Sequence, residues 1–241
     1  MKDRDVIDAF VFFLRRFGHI GLKIHRRPDE ENRDSADIDA IADPFAIEHT
    51  SIDTLPNQRR DSDWFMQAAA GLEQELPQKP SFRLNIILEY DAIAKGQDWV
   101  KIRQALRSWI IHDAPLLDDG RHVLNCIPGL PIRLYVKKAS DRPPGVFFSR
   151  FEPHDDTLPV RIYGLFERKA KKLSKYKSDG LTTILLVESD DIALMNEIKL
   201  LDGIQKAYPK KAPTGVDKIW YADTTIPSQL EFTELTSENW K

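Results

Sequence analysis

Asp39 and Glu48 are the two residues on which chemistry can be built. They lie in Asp37-Ile-Asp-Ala-Ile-Ala-Asp-Pro-Phe-Ala-Ile-Glu-His-Thr50, which reads as two short strands around an Asp43-Pro44 turn. With residues 43 and 44 as the loop, Ala42 faces Phe45, Ile41 faces Ala46, Ala40 faces Ile47 and Asp39 faces Glu48. Facing residues of an antiparallel pair hold their Cβ atoms about 5 Å apart on one face. Two carboxylates so placed repel, and a sheet gains no stability from the pair. A divalent cation would turn the repulsion into chelation. Mg²⁺ or Mn²⁺ accepts carboxylate and water oxygens, activates water and neutralises charge on phosphate oxygens, which are the demands of phosphodiester hydrolysis. The plainer reading makes both residues ordinary strand-end polar groups on a solvated face.

The elements that must position this pair follow from periodicity. Val6, Phe10, Phe13, Leu14 and Phe17 make a helix over 4–17, stopped by Gly18. Leu22 to Arg27 reads as a strand ended by Pro28, and 29–35 as a charged loop. After the hairpin and a turn at 53–58, a helix runs from about Arg59 to Leu76, with Pro77 and Pro80 ending it. Phe82 to Tyr90 is a strand and 98–111 a helix. The stretch 113–131, rich in Asp, Gly and Pro, reads as loop. Ile132–Lys137 and Val146–Arg150 are strands, and Ile162, Phe166, Ala170 and Leu173 form the stripe of a helix over 159–176. Thr182–Glu188 is a buried-type strand. A helix through Met195, Ile198, Leu201 and Ile204 follows, capped by Asp190 or Asp191. Strands at 218–222 and 229–235 complete the chain. Interleaved helices and strands predict an α/β (α+β) fold with a mixed central sheet flanked by helices. No repeat or linker divides the 241 residues, so one domain over 1–241 is expected.

Composition narrows the function classes. At 41% hydrophobic, the chain can bury one sizeable core, or two small ones. A net charge of −3 gives no whole-molecule attraction for nucleic acid, so local basic clusters must supply it. The single cysteine, Cys126, excludes a disulfide framework and a cysteine zinc cage. No apolar run has the length of a membrane span or a signal peptide, which predicts a soluble cytoplasmic protein. There is no Gly-rich phosphate loop, no His-Glu-x-x-His and no Gly-x-Ser-x-Gly.

The element order and the hairpin resemble the PD-(D/E)xK (restriction-endonuclease-like) nuclease superfamily. Its members share a helix, three antiparallel strands, then a helix and a parallel strand, with Asp on the second strand and Glu-x-Lys on the third. Ile38-Asp39-Ala40-Ile41-Ala42 looks like the second strand and Ala46-Ile47-Glu48-His49-Thr50 like the third. The resemblance covers roughly 4–90, with further α/β elements over 91–241. It implies a Mg²⁺-dependent nuclease acting on nucleic acid, DNA first, with no membrane and with a homodimer left open. Asp39 and Glu48 would be its metal ligands. Asp37, in a Pro-Asp-like position facing Thr50, is a further metal candidate. Thr50 stands where the family has its lysine, so the charge that positions the attacking water is missing. Lys23, Arg59 and Arg60 are candidates to replace it. The alternative is a catalytically inactive nuclease-fold module that binds nucleic acid or a protein partner.

Other clusters have two readings each. Gln58, Arg59 and Arg60 open a helix and suit either phosphate or solvent. Arg168, Lys171, Lys172 and Lys175 form a phosphate-tracking face or a solvated one. Arg15, Arg16, Lys23, His25, Arg26, Arg27 and Arg33 gather near the proposed site. His49 points to the opposite face from Glu48, as a packed or hydrogen-bonded ring. Trp64, Trp99, Trp109 and Trp220 belong to apolar faces, and Cys126 has no activating partner.

Overall fold

A computed structural model describes residues 2–31, 37–125, 127–130, 132–191 and 194–236. Cys126 and Arg33 lie outside them. The elements run α1 (Asp3–Arg16), α2 (Pro28–Glu31), β1 (Ala40–Ala42), β2 (Phe45–Ser51), α3 (Gln58–Ala69), β3 (Arg83–Leu88), α4 (Trp99–His112), β4 (Gly120–Leu124) and β5 (Leu134–Ala139). They continue through β6 (Gly145–Arg150), α5 (Leu158–Ser178), β7 (Thr182–Ser189), α6 (Glu197–Ala207), β8 (Lys218–Asp223) and β9 (Glu231–Glu234). The fold is mixed α/β, with two mixed sheets flanked by helices. No helix among the described residues is long and apolar enough to cross a membrane.

The chain divides into two compact units, Met1–Pro56 with Asp155–Lys241, and Asn57–His154. The second is inserted between β2 and α5, so the first is assembled from two separated segments. That is why no single linker in the sequence marks a boundary.

The first unit holds the sheet β1-β2-β7-β8-β9, in which β2, β7 and β8 are parallel and β1 and β9 are antiparallel edges. Central parallel strands are buried on both faces, which explains the unbroken apolar run Ile184–Val187. On one face Val6, Ile7, Phe10, Val11 and Leu14 of α1 pack against Ala40, Ala42, Ile47, Ile184 and Leu186. On the other, Ile162, Phe166, Ala170 and Leu173 of α5 and Leu200 and Ile204 of α6 cover Ala46, Leu185, Val187 and Ile219. In the second unit, the sheet β4-β5-β3-β6 is covered on one face by α3 and α4, around Leu84, Ile86, Leu88, Leu106 and Trp109.

Several expectations are corrected. The helix and strand that follow the hairpin in sequence, α3 and β3, belong to the inserted unit. The strand parallel to β2 is β7, paired from Phe45↔Thr182 to Ser51↔Glu188, and its preceding helix is α5. Of the stretch 4–90 that carries the resemblance, residues 57–90 belong to the inserted unit, which closes on an apolar core of its own. The strand expected at 22–27 is reduced to one bridge, Arg26↔Ile41, because Pro28 opens α2 and ends the pairing. Gly120–Leu124, read as loop, is an edge strand that takes its hydrogen bonds from β5. The cap of α6 is Asn196, whose side chain accepts from Lys199 N–H; Asp191 accepts from Leu194 N–H instead.

Candidate active site

The hairpin register is Ala40↔Ile47, Ile41↔Ala46 and Ala42↔Phe45, as the sequence predicts. One step beyond, Asp39 stands across from Glu48. Its Oδ2 accepts the His49 backbone N–H at 2.7 Å, which pins Asp39 to β2 before β1 begins. Alternation along β2 turns Ala46, Glu48 and Thr50 toward α5, and Ile47 and His49 toward α1. Glu48 has no solvent exposure, and Thr50 is also buried.

A buried carboxylate needs partners, and α5 supplies them. Lys169 Nζ lies 2.5 Å from Glu48 Oε1 and also donates to the His49 carbonyl at 2.9 Å. Lys172 Nζ lies 3.0 Å from the same Oε1 and donates to the Asp37 carbonyl at 2.7 Å. Glu48 Oε2 is buried and makes no hydrogen bond among the described residues. Burial first, then the charge of Asp39, pushes the Glu48 carboxyl up to about 7 against the pull of Lys169 and Lys172.

The lysines reach this point because of their place on the helix. Leu165, Lys169, Lys172 and Tyr176 follow one another at spacings of four, three and four, so they line one stripe. That stripe borders the buried row Ile162–Phe166–Ala170–Leu173 rather than opposing it. Arg168, Lys171 and Lys175 do not reach Glu48. The sequence places Lys172 on a solvated or phosphate-tracking face and assigns Lys169 no role. A helical wheel that asked which lysines flank the apolar stripe would have found both.

Asp37 goes elsewhere. Its Oδ1 accepts from the Tyr176 hydroxyl at 2.8 Å and from Ile38 N–H at 2.8 Å. Burial pushes its carboxyl up, but these hydrogen bonds and the Lys175 and Lys172 charges outweigh that and hold it below the usual range. Asp37, Asp39 and Glu48 do not form a set of ligand atoms all within 4.8 Å of one another; the described residues that do are Asp3, His49 and Glu188.

That second set lies on the α1 face. His49 Nε2 is 3.0 Å from Glu188 Oε2 and its Nδ1 is 3.9 Å from Asp3 Oδ2. Thr224 donates to Glu188 Oε1 at 2.8 Å. Burial raises the Glu188 carboxyl, and the adjacent His49 ring with the Thr224 hydrogen bond more than compensates, leaving it lowered. His49 is thus a buried, carboxylate-held ring on the face expected of it.

Lys23 lines a cleft shared with Arg4, Asp8, Arg15 and Arg27. Arg59 and Arg60 open α3 in the inserted unit, where Arg60 contacts Asp61. Arg26 pairs with Glu31 and Arg27 with Asp8, which neutralises much of the basic cluster predicted there.

The chain matches no protein-family model, no curated protein and no solved structure.

Proposed function

We propose that the chain is a cytoplasmic, Mg²⁺- or Mn²⁺-dependent nuclease of PD-(D/E)xK type, hydrolysing phosphodiesters of nucleic acid, DNA first, with its lysine drawn from α5. The observation that carries this reading is the pair of ammonium groups on Glu48, Lys169 at 2.5 Å and Lys172 at 3.0 Å, beside a strand that has Thr50 in the lysine position. The order of elements supports it. With 57–154 set aside as an insertion, a helix, the Asp39 and Glu48 hairpin, then α5 and the parallel strand β7 keep the order of the resemblance, with the first of its three strands reduced to the Arg26↔Ile41 bridge.

The donor set suits a hard cation. Two carboxylates face each other, one of them raised by burial and then by the other's charge, and Glu48 Oε2 is a buried oxygen with no hydrogen bond among the described residues. Asp39 and Glu48 would hold the ion, which when bound neutralises charge on a phosphate and eases deprotonation of water. The chain's own residues do the rest. Lys169, anchored to the His49 carbonyl and Glu48, is held to orient the attacking water and favour its ionised form. Lys172 compensates the carboxylates and ties the Asp37 backbone to α5. His49 N–H fixes the Asp39 carboxylate. Thr50 adds a hydroxyl on the Glu48 face but no charge.

The test is cleavage of single-stranded and duplex DNA and RNA in Mg²⁺ or Mn²⁺. Asp39→Asn and Glu48→Gln should lower the rate at least about 100-fold, and Lys169→Met by roughly 10²–10³. Equal cleavage by wild type and variants would move the activity to another site. Salt-dependent binding with no cleavage by wild type under either cation would leave an inactive nucleic-acid-binding module.

A further inference from the structure

In the inserted unit, the sheet face opposite α3 and α4 carries exposed side chains, with Glu73 Oε1 reaching its edge at Gly145, and that face has a composition of its own. The strands β3, β4, β5 and β6 contain no Asp or Glu, in a chain whose net charge is −3. Their two inward cations are consumed locally. Lys138 donates to the Pro115 and Leu117 carbonyls, and Arg150 stacks on Phe65 and Tyr90. The outward ones gather on this face. Register places Arg121, Lys137, Asn85 and Phe147 in one row across all four strands. Arg83, on the same face, donates to Asn85 Oδ1 at 3.3 Å and lies 4.1 Å over the Phe147 ring. Arg83, Asn85, Lys137 and Arg142 line a cleft of about 360 Å³ beside that ring. Phe147 is 45% exposed and Phe151, edge-on to Tyr135 at 4.8 Å, is 40% exposed. The carboxylate that follows β3, Glu89, accepts from the Tyr135 hydroxyl at 2.8 Å.

We propose that this face binds single-stranded nucleic acid, with a backbone phosphate in the Arg83–Lys137–Arg142 cleft and bases stacked on Phe147 and on the Tyr135–Phe151 pair. Exposed rings on a sheet face are unfavourable in water and useful against the planar faces of unpaired bases. A cation-lined cleft next to it matches the one-phosphate-per-base repeat of a single strand. A duplex keeps its base faces stacked inside and has no use for exposed rings. The inference rests on the nuclease reading for the chemistry of the polymer, and its test is kept separate from cleavage.

The test uses the full chain carrying Glu48→Gln, in EDTA, titrated into fluorescent single-stranded DNA, single-stranded RNA and duplex DNA of one sequence. Single strands should bind more tightly than the duplex, and the DNA and RNA arms identify the preferred sugar. Phe147→Ala should weaken single-strand binding roughly 5- to 100-fold. Arg121→Glu with Lys137→Glu, both on exposed side chains, should weaken it and lower the salt slope by about 0.7 for each phosphate no longer neutralised. Preference for the duplex, absence of binding, or unchanged affinity in folded Phe147→Ala and in the charge variant would overturn the proposal. Binding as described without cleavage by wild type in Mg²⁺ would overturn the nuclease reading alone.

Discussion

Glu48 carries its charge where burial and Asp39 both oppose ionisation. Its carboxyl is pushed up to about 7 in the folded chain from 4.5 for an ordinary glutamate. Between those values the unfolded chain has lost the proton and the folded chain keeps it. The contribution is therefore full below about pH 4.5 and is lost as pH rises through about 7, by about 3 kcal/mol. Urea unfolding from pH 5 to 8 should show wild type losing stability relative to Glu48→Gln. Mn²⁺, which competes with that proton, should raise the wild-type Tm more at pH 8 than at pH 5.5. A Glu48→Gln variant that tracks wild type at every pH, with and without Mn²⁺, would contradict this. The Asp39–Glu48 pairing was legible in the sequence because an antiparallel register across a short turn is local. The cation was not, because Lys169 lies 121 residues from Glu48 and no local pattern carries that contact.

At the scale of elements, the site depends on how α5 seats on the sheet. Leu173 and Phe166 are fully buried, and the turn before β8 closes over the helix at Gly215. That glycine has φ +94°, and a Cβ there would meet the Ala170 carbonyl oxygen at 2.8 Å. Both facts demand glycine. Gly215→Ala should cost about 2 kcal/mol or more in thermal or urea unfolding, and should reduce the proposed cleavage by shifting Lys169. A variant with wild-type stability would mean that α5 is not held by this contact. The helix itself was readable from its apolar stripe, as were α1, α4, β2, β3 and β7. The strand β4 was not, since Gly120–Leu124 follows a turn-rich stretch and is a strand only because β5 offers it hydrogen bonds.

At the scale of the molecule, two units with separate apolar cores share one chain, and the inserted one carries three of the described tryptophans, Trp64, Trp99 and Trp109, against Trp220 in the other. Gly215→Ala should therefore shift the far-UV circular dichroism transition more than the tryptophan fluorescence transition. Coincident shifts would mean that the units unfold as one. The insertion was illegible because its ends, near 56 and 154, have no composition unlike the surrounding turns. Two clusters of acidic groups lie on opposite faces of one sheet, Asp39 with Glu48 toward α5, and Asp3 and Glu188 with His49 toward α1. An anomalous difference map from crystals soaked in Mn²⁺ separates them. A nuclease of this type should show a peak between the Asp39 and Glu48 carboxylates, with Lys169 still against Glu48. A peak only at Asp3, His49 and Glu188, or no peak at either place, would contradict it.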